Sequence, residues 1–417
     1  MSILTDLTRM WLTRSTRPFT FTNEYDRELP YADCSGLGLY VHIPFCRRIC
    51  SFCPYCKEAY TAEKCDRYIN ALLQEIHMVG RQYPGQKQTT SLYFGGGTPA
   101  LAADRLHEII TALREHFIIT EGIGVELHPD NVTIPTLQKL RDAGVSKISI
   151  GIQSLQPTFQ QILGRQPIDI AAISRALAAV PVETVSMDFI FALPGQTFAD
   201  LQADIDAAFA YGANHIAIYP FIDFTFTPST VPTMPKRQKR RLLDDITRYC
   251  TERGYTRSSI WTFANDAQAG YSSMTRDNFL GFGCSATTLL HDQFKINTFS
   301  VDEYCRRINS GELPTSLTCR FSLRQRMIYY LFWTAYSTRV DPADFERFFG
   351  VPLHRMYGTE LWLARLFGFA TRQNGIYTMT PKGAFYYHYY ENFYTLAYID
   401  KMWGIMRRQA FPQEITL

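Results

Sequence analysis

Residues 39–53 read LYVHIPFCRRICSFC, an apolar run that leads directly into three cysteines. The apolar run predicts a buried strand, and Cys46, Cys50 and Cys53 then share one loop at its carboxyl end, with the spacing C-x3-C-x2-C. A loop with these gaps can turn three thiolates toward one metal centre, and soft thiolates favour iron–sulfur clusters or zinc over hard cations. Three ligands for a four-iron cluster would leave one iron open to a further ligand.

The alternation of a short β-rich run with a helical stretch continues to about Tyr219. The runs are GLYVHI, SLYFGGG, GVELHP, KISIGI, VSMDFIF and HIAIYPF. Successive β/α units predict parallel strands joined by crossover helices, in an α/β barrel or a doubly wound sheet. In either fold the loops at the carboxyl ends of the strands carry the chemistry. From about residue 320 the pattern is helical and ends in a hairpin-like segment, residues 370–383, which together suggest a small winged-helix module.

Length and composition exclude several classes of protein. With 417 residues the chain exceeds the roughly 250–300 residues that one core usually reaches, so we expect a barrel with an appended domain. The net charge of +3 argues against a nucleic-acid partner. No apolar run approaches the roughly 18–20 residues that cross a bilayer, and the first residues lack a signal-peptide pattern, so we expect no membrane contact and a cytoplasmic location.

Six of the ten cysteines fall between Cys34 and Cys65. In a long chain without a signal peptide, such a cluster indicates a metal or redox site rather than a disulfide framework. Cys56 extends the cysteine run to C-x3-C-x2-C-x2-C, and its residue type leaves two further possibilities open. It could close an electron-transfer cluster as a fourth ligand, or it could complete a structural zinc site.

Several motifs occur in a familiar order along the chain. They are residues 39–53, LYFGGGTP at 92–99, GVELHPDNVT at 124–133, ISIGIQSLQPTFQQILGR at 148–165, MDFIFALPGQT at 187–197, GFGCSA at 281–286 and MTPKG at 379–383. Together they resemble the radical S-adenosylmethionine (SAM) superfamily and, within it, the branch of the anaerobic coproporphyrinogen III dehydrogenases, the HemN-like branch, over nearly all of residues 37–390.

The resemblance implies an α/β fold, a partial (β/α)6-type radical SAM barrel followed by a mainly helical, winged-helix-like domain. It divides the chain into an N-terminal extension at residues 1–36, the barrel and its extension at 37–315, and the C-terminal helical domain at 316–417.

The resemblance also implies the cofactors. Cys46, Cys50 and Cys53 would ligate a [4Fe–4S] cluster whose open iron is chelated by SAM. An electron from a low-potential donor, such as flavodoxin or ferredoxin, then splits the S–C5′ bond, and the resulting 5′-deoxyadenosyl radical takes hydrogen from a small-molecule substrate. Cys56 is then not expected to be a cluster ligand, because closing the fourth iron would abolish SAM cleavage.

Residues that match the family's motifs receive SAM-binding roles from the resemblance. Tyr40 would lie near the SAM carboxylate and the cluster, and Phe52 near the adenine. The expected contacts to the methionine group are the backbone amides of Gly95, Gly96, Gly97 and Thr98. The expected carboxylates, amide and cation of the same cavity are Glu126, Gln153, Arg165 and Asp188, of which Arg165 would pair with the SAM carboxylate and Asp188 would accept from a ribose hydroxyl. Core or surface roles remain the alternatives for each.

Two departures from the true porphyrinogen dehydrogenases bear on the reaction. Residues 1–36 lack that enzyme's P-R-Y-T-S-Y-P-like segment, and Pro54-Tyr55 separate Cys53 from Cys56 where that enzyme has a single residue. The loop resembles more closely the class C methyltransferases and cyclopropane-forming relatives, which we therefore favour, with a second SAM as methyl or methylene donor near residues 281–286 and 219–221.

The alternatives concern haem and its precursors. They are oxidative decarboxylation of coproporphyrinogen III, anaerobic haem ring opening, and haem trafficking with His42 as an axial ligand. The substrate is thus expected to be a small molecule, with a flat aromatic compound or a tetrapyrrole among the candidates.

Overall fold

The computed structural model describes residues 3–265 and 277–417. Its strands are Thr20–Thr22 (β1), Leu37–Ile43 (β2), Phe45–Cys46 (β3), Glu58–Ala59 (β4), Lys87–Thr89 (β5), Leu92–Gly96 (β6), Phe117–Ile119 (β7), Ile123–Leu127 (β8), Lys147–Gln153 (β9), Thr184–Phe191 (β10), His215–Pro220 (β11), Thr256–Arg257 (β12), Thr262–Ala264 (β13), Asn278–Phe282 (β14), Thr287–Leu290 (β15), Gln293–Asn297 (β16), Thr315–Arg320 (β17), Arg339–Val340 (β18), Ala370–Gln373 (β19), Ile376–Met379 (β20) and Glu414–Thr416 (β21). Its α-helices are Ile3–Thr13 (α1), Ala62–Gly80 (α2), Ala103–His116 (α3), Ile134–Asp142 (α4), Pro157–Ile162 (α5), Ile170–Ala179 (α6), Phe198–Ala210 (α7), Lys236–Glu252 (α8), Val301–Asn309 (α9), Leu323–Tyr336 (α10), Pro342–Phe349 (α11), Leu353–Leu366 (α12), Pro381–Tyr394 (α13) and Asp400–Met406 (α14).

Six parallel strands form the centre of the fold. They lie side by side in the order β11-β10-β9-β8-β6-β2. Along the chain, β2 is followed by α2, β6 by α3, β8 by α4, β9 by α5 and α6, β10 by α7 and β11 by α8. These are the six β/α units that the sequence predicts. The parallel pairing brings the carboxyl ends of all six strands to one edge of the sheet, where the cysteine loop after β2 also lies.

Local sequence explains where these elements form. The residues of β2 are buried on both faces of the sheet, apart from the central one. A continuous apolar sequence is typical of a strand whose two faces are both covered by helices. Hydroxyl side chains cap the crossover helices at their amino ends, since Thr61 accepts from the backbone of α2 and Thr133 from that of α4. Thr197 and Asp200 form a reciprocal capping box at the start of α7.

The sheet continues beyond the six parallel strands. On one side β14 pairs in parallel with β2, and β15, β16 and β17 follow as antiparallel strands. The terminal strands β1 and β21 then pair with each other, and β1 also pairs with β17. The segments predicted as an N-terminal extension and a C-terminal domain therefore each contribute a strand to the sheet of the barrel.

The C-terminal part is mainly helical. Helices α11 and α12 precede a hairpin of β19 and β20, to which β18 adds a third strand. Asn374 and Gly375 form the two-residue turn of this hairpin and both have positive φ, 50° and 86°. Positive φ at both central residues is typical of the tight turns whose twist matches that of the paired strands. This arrangement of helices and a hairpin agrees with the predicted winged-helix-like module, and it has a small apolar core of its own around Met327 and Phe345.

Candidate active site

The cysteine loop opens into a cavity of about 900 Å³ that extends from the carboxyl ends of the strands to residues at their amino ends, such as Glu121 and Lys147. Cys46, Cys50 and Cys53 are half-buried and all line this cavity. Cys46 ends β3, and the hydroxyl of Thr98 donates to its sulfur at 3.8 Å. Burial raises the pKa of the Cys46 thiol to about 11, so in the absence of a metal the thiol carries its proton. A bound metal would remove that proton, since coordination deprotonates a thiol outright.

The spread of the three sulfur atoms bears on which metal fits. Tetrahedral zinc with Zn–S bonds of about 2.3 Å holds its sulfur ligands about 3.8 Å apart. Among the residues that the structure describes, the groups of potential ligands whose atoms all lie within 4.8 Å of one another do not include Cys46, Cys50 and Cys53 together. The loop therefore fits a cluster of several irons, which separates its ligands more widely, better than a single ion.

The glycine run at the end of β6 packs against the segment that leads into the cysteine loop. A Cβ at Gly97 would lie 2.6 Å from the Phe45 carbonyl oxygen, and a Cβ at Gly96, whose φ is +120°, would lie 2.7 Å from the His42 ring. Both positions therefore need glycine. Gly96, Gly97 and Thr98 line the cavity. Their amides, which were predicted to contact the methionine group, already donate within the protein: that of Gly96 to Glu126, that of Gly97 to the Ile43 carbonyl and that of Thr98 to the Phe45 carbonyl.

Two half-buried carboxylates face the cavity from β8 and β10, the strands on either side of β9. Glu126 of β8 accepts from the Tyr93 hydroxyl at 2.8 Å and from the Gly96 amide at 3.2 Å. Asp188 of β10 accepts from the Ser149 hydroxyl at 2.5 Å and from the Ser186 hydroxyl at 3.0 Å.

Burial raises the pKa of both acids, of Glu126 to about 7 and of Asp188 to about 6, against the opposing effect of these hydrogen bonds. Raised carboxylate pKa values in a cleft are typical of functional sites. The sequence does not single out the residues that hold the acids, Tyr93 and the two serines, although Tyr93 lies within the LYFGGGTP motif.

Gln153, Arg165 and Phe52 lie together at the same end of the cavity. Gln153 ends β9 with a φ of 70°, and the register between β9 and β10 shifts beside it. The Arg165 guanidinium lies 5.9 Å from the centre of the Phe52 ring, and its Nη1 donates to the Gly151 carbonyl at 3.4 Å. Its Nε is buried and has no hydrogen-bond partner in the described part of the chain. A buried, unpartnered N–H of a cation fits an anionic ligand such as a carboxylate.

Tyr40 and Gly95 are not among the residues that line the cavity. The Tyr40 hydroxyl lies 3.0 Å from Nδ1 of His42, and a Cβ at Gly95 would meet this hydroxyl at 3.0 Å and Glu126 at 3.2 Å. Both residues therefore form the layer behind the wall. His42 is also in this layer, because its Nε2 donates to the Cys56 carbonyl at 3.0 Å and its Nδ1 must then accept from Tyr40.

Cys56 also turns away from the cavity. It is buried, its thiol donates to the Phe299 carbonyl at 3.1 Å, and its sulfur lies within 4.8 Å of Cys284 and of His42. This position supports the expectation that Cys56 does not ligate the cluster. The GFGCSA segment at 281–286, which was expected near a second SAM, likewise does not line the cavity, whereas Tyr219, Pro220 and Phe221 do.

One wall of the cavity is aromatic. The aromatic side chains that line it are Phe224, Trp261, Phe332, Trp333, Tyr336 and Trp403. His388 lies among them, with its ring centre 4.3 Å from that of Trp261 and its Nδ1 buried without a hydrogen-bond partner among the described residues. Burial lowers the pKa of His388 to about 3, so its imidazole is neutral. His215 also faces the cavity, and its Nδ1 lies 2.9 Å from the Ser186 hydroxyl that holds Asp188.

Among the described helices, none is long and apolar enough to cross a membrane.

Comparison with known proteins connects this geometry to a family. Residues 40–208 match the family model of the radical SAM superfamily. The oxygen-independent coproporphyrinogen III oxidase of Cereibacter sphaeroides is 29% identical over 313 residues, which are 67% of this chain and 68% of the relative. The heme chaperone HemW of Bacillus subtilis is 26% identical over 295 residues, which are 66% of this chain and 76% of the relative.

The fold has a solved counterpart. The structure of coproporphyrinogen III oxidase (HemN) from Escherichia coli superposes with a TM-score of 0.75 at 20% identity, and the match covers 95% of this chain and 98% of that one. The predicted fold class is thereby confirmed. A [4Fe–4S] cluster and SAM are the cofactors that the family implies, and the cysteine loop fits such a cluster. The chain thus carries a radical SAM domain over residues 40–208 and is similar to the HemN-like coproporphyrinogen III oxidases over about two thirds of its length.

Proposed function

We propose that this radical SAM enzyme acts on a tetrapyrrole. The observation that carries the proposal is the single cavity of about 900 Å³ that joins the cysteine loop to a wall of aromatic side chains. A large macrocycle of pyrrole rings needs such a wall within reach of the place where the radical forms. The names of the relatives, coproporphyrinogen III oxidases and a heme chaperone, support the same substrate class.

We assign the cysteine end of the cavity to the cofactors. Cys46, Cys50 and Cys53 would hold the cluster, which with SAM supplies a 5′-deoxyadenosyl radical when both are bound. Arg165 would pair its unpartnered Nε with the SAM carboxylate. Phe52, Gly96, Gly97, Thr98 and Gln153 would complete the SAM site, and Tyr40 and Gly95 would support it from behind.

Glu126 and Asp188 would accept hydrogen bonds from the amino group and the ribose hydroxyls of SAM. Each already has two hydroxyl or amide donors that fix the orientation of its carboxyl group.

Cations at the rim would bind the carboxylates of the substrate. Arg48 and Lys57, which belong to the cysteine loop and the segment after it, line the cavity. Tetrapyrrole precursors carry propionate side chains, and a propionate held by these two cations would place its adjacent C–H bonds close to the cofactor end. The aromatic wall would then contact the pyrrole rings.

Methyl or cyclopropane transfer from a second SAM has less support, although the sequence of the cysteine loop favours that reaction. The relatives described above are named for coproporphyrinogen oxidation and for haem, and the GFGCSA segment that was to hold a second SAM lies behind the cavity wall. We therefore propose an oxidoreductase reaction. It would need a one-electron donor of low potential, of the flavodoxin or ferredoxin type.

The test is to incubate the anaerobically reconstituted enzyme, reductant and SAM with coproporphyrinogen III or with haem, and to identify the products by mass spectrometry. We expect one of the two tetrapyrroles to be changed, by loss of CO2 or by ring opening, in an amount that tracks 5′-deoxyadenosine. A Trp261→Ala variant should still cleave SAM but should convert less tetrapyrrole. Tight haem binding without conversion would instead favour a trafficking role, and a methylated product would contradict the proposal.

A further inference from the structure

The opposite end of the barrel holds three side chains that the cavity does not use. Asp33 and Cys34 lie just before β2, at its amino end, and His291 lies in the tight turn between β15 and β16. The Nε2 atom of His291 is 3.1 Å from an Asp33 carboxylate oxygen and 3.5 Å from the Cys34 sulfur. The three potential ligand atoms all lie within 4.8 Å of one another.

These distances are those of a tetrahedral zinc site. Zinc bonds of about 2.0–2.1 Å to nitrogen and oxygen and about 2.3 Å to sulfur place neighbouring ligand atoms about 3.3–3.6 Å apart. The imidazole therefore already lies at about the ligand separation from both partners. We propose that Asp33, Cys34 and His291 bind a borderline-soft divalent cation such as Zn²⁺, with solvent as the fourth ligand.

The backbone holds these groups in place before any metal arrives. His291 has a φ of 53°, in a two-residue hairpin turn where asparagine, aspartate or glycine is usual. Its amide donates to the Asn278 side chain at 3.0 Å, and its carbonyl accepts from Arg326 at 2.7 Å. A turn fixed on both sides of a histidine with uncommon backbone geometry presents the imidazole at a defined place.

Charge and exposure around the site also permit a cation. The Asp33 side chain is largely exposed and His291 is partly exposed, so an ion and its water have access, whereas Cys34 is buried. The thiol of Cys34 donates weakly to the Pro30 carbonyl at 3.5 Å, a contact that deprotonation would end.

Two neighbouring cations favour the thiolate form of Cys34. Burial and Asp33 raise the pKa of this thiol to about 11, whereas Lys87 and Arg326 lower it. Lys87 donates to the Ala32 carbonyl at 2.8 Å, and Arg326 donates to the carbonyls of His291 and Asp277, so neither cation forms a hydrogen bond to the three ligand atoms. On binding, the metal would replace the thiol proton of Cys34, and the imidazole would carry its proton on Nδ1 in place of Nε2.

The second buried group of this kind is a weaker candidate. His42, Cys56 and Cys284 also lie within 4.8 Å of one another, but both ring nitrogens of His42 are engaged, by Tyr40 and by the Cys56 carbonyl. In the proposed site Nε2 of His291 and the Cys34 thiol each give up one contact, to Asp33 and to the Pro30 carbonyl, and the thiol contact is weak. Because the site lies at the amino ends of β2 and β14, its role would be to fasten the segment before β2 to the β15–β16 turn.

Zinc K-edge X-ray absorption and elemental analysis of the cluster-loaded enzyme test the proposal, because the zinc edge is distinct from that of iron. After dialysis against Zn²⁺ and then buffer, we expect one zinc per chain with one sulfur and otherwise nitrogen or oxygen neighbours. Cys34→Ser and His291→Asn should each lower retained zinc by at least about tenfold with iron content unchanged. Asparagine suits a positive φ, so His291→Asn preserves the turn.

Cys305→Ser is the matched control, since Cys305 is also a buried thiol but has no such partners in the groups described above. It should retain zinc like the wild type. The proposal is overturned if the wild type retains no zinc, if both site variants retain as much as the wild type, or if the bound zinc has no sulfur neighbour.

Discussion

Replacing Gly97 by alanine should disturb the cysteine loop directly. The added Cβ would lie 2.6 Å from the Phe45 carbonyl oxygen and 2.7 Å from the Pro44 carbonyl carbon, where ordinary contact begins at 3.4 Å. Both are backbone atoms of the segment that leads into Cys46, so no side chain can rotate away. The loop has to move by about 0.8 Å to relieve the overlap. Overpacking of this kind costs typically about 1–3 kcal/mol of unfolding free energy.

The functional effect of this variant should exceed its effect on stability. A shift of about 1 Å in a positioning element can cost on the order of 100-fold in rate, and here the shift falls on the loop that would hold the cluster. The assays are urea unfolding of the cluster-free protein, iron content after reconstitution, and the rate of 5′-deoxyadenosine formation.

Gly358→Ala is the control for this substitution. Gly358 lies in α12, and its added Cβ would meet nothing within 4 Å. This variant should be as stable as the wild type, or more stable by up to about 1 kcal/mol, because alanine favours helix. Gly97→Ala protein with wild-type stability, iron content and SAM cleavage would refute the assignment of the glycine run to the support of the loop.

Three further predictions concern the cavity. Because burial raises the pKa of Glu126 from 4.5 to about 7, the folded state holds a proton that the unfolded state loses, so the stability of the cluster-free protein should fall as pH rises from 4.5 to 7. In chemical unfolding, Glu126→Gln should lose less stability than the wild type, by on the order of 3 kcal/mol over that pH range. An identical pH profile for the two proteins would contradict the assignment. Arg165→Gln should weaken SAM binding by about 10- to 100-fold in equilibrium dialysis, since a charged hydrogen bond contributes about 1.5–3 kcal/mol, while iron content stays unchanged; undiminished affinity would exclude a contact between Arg165 and SAM. His388→Phe removes a buried nitrogen without a hydrogen-bond partner among the described residues, so thermal unfolding should show stability equal to the wild type or higher by about 1 kcal/mol, and a large loss would mean that the imidazole has a structural partner.

The barrel was predictable because its signals are local. Each apolar run between Leu37 and Pro220 carries a strand, and predicted helices such as residues 103–116 and 169–179 appear within one residue of their expected ends. Continuous apolar strands and, at some helices, side-chain caps such as Asp169 and Thr133 are signals that lie within a few residues of the element they mark. The terminal strands β1 and β21 are three residues each and depend on their partners, so no pattern in the sequence announces them.

The residues near the cysteine loop were predictable from local sequence patterns, whereas several aromatic residues that line the cavity were not. Cys46 follows a predicted strand, and Glu126 and Asp188 lie within predicted strands, so parallel pairing alone brings these strands to the same sheet. Trp261 and Trp333 reach the cavity from segments far apart in the chain, and only the tertiary packing brings them together. A strand residue that matches a motif can face either side of the sheet, so the motif match alone did not show which side Tyr40 and Gly95 face. The structure places both in the layer behind the cavity wall.

The most direct test of the central claim is the formation of 5′-deoxyadenosine from SAM by the reduced, anaerobically reconstituted enzyme, compared between Cys50→Ala and Cys56→Ala. The two cysteines belong to the same run, but Cys50 lines the cavity and Cys56 lies buried behind it. We predict that the wild type and Cys56→Ala cleave SAM and that Cys50→Ala does not. Cleavage by Cys50→Ala at the wild-type rate would contradict the assignment of the cysteine loop as the site of the radical SAM cluster.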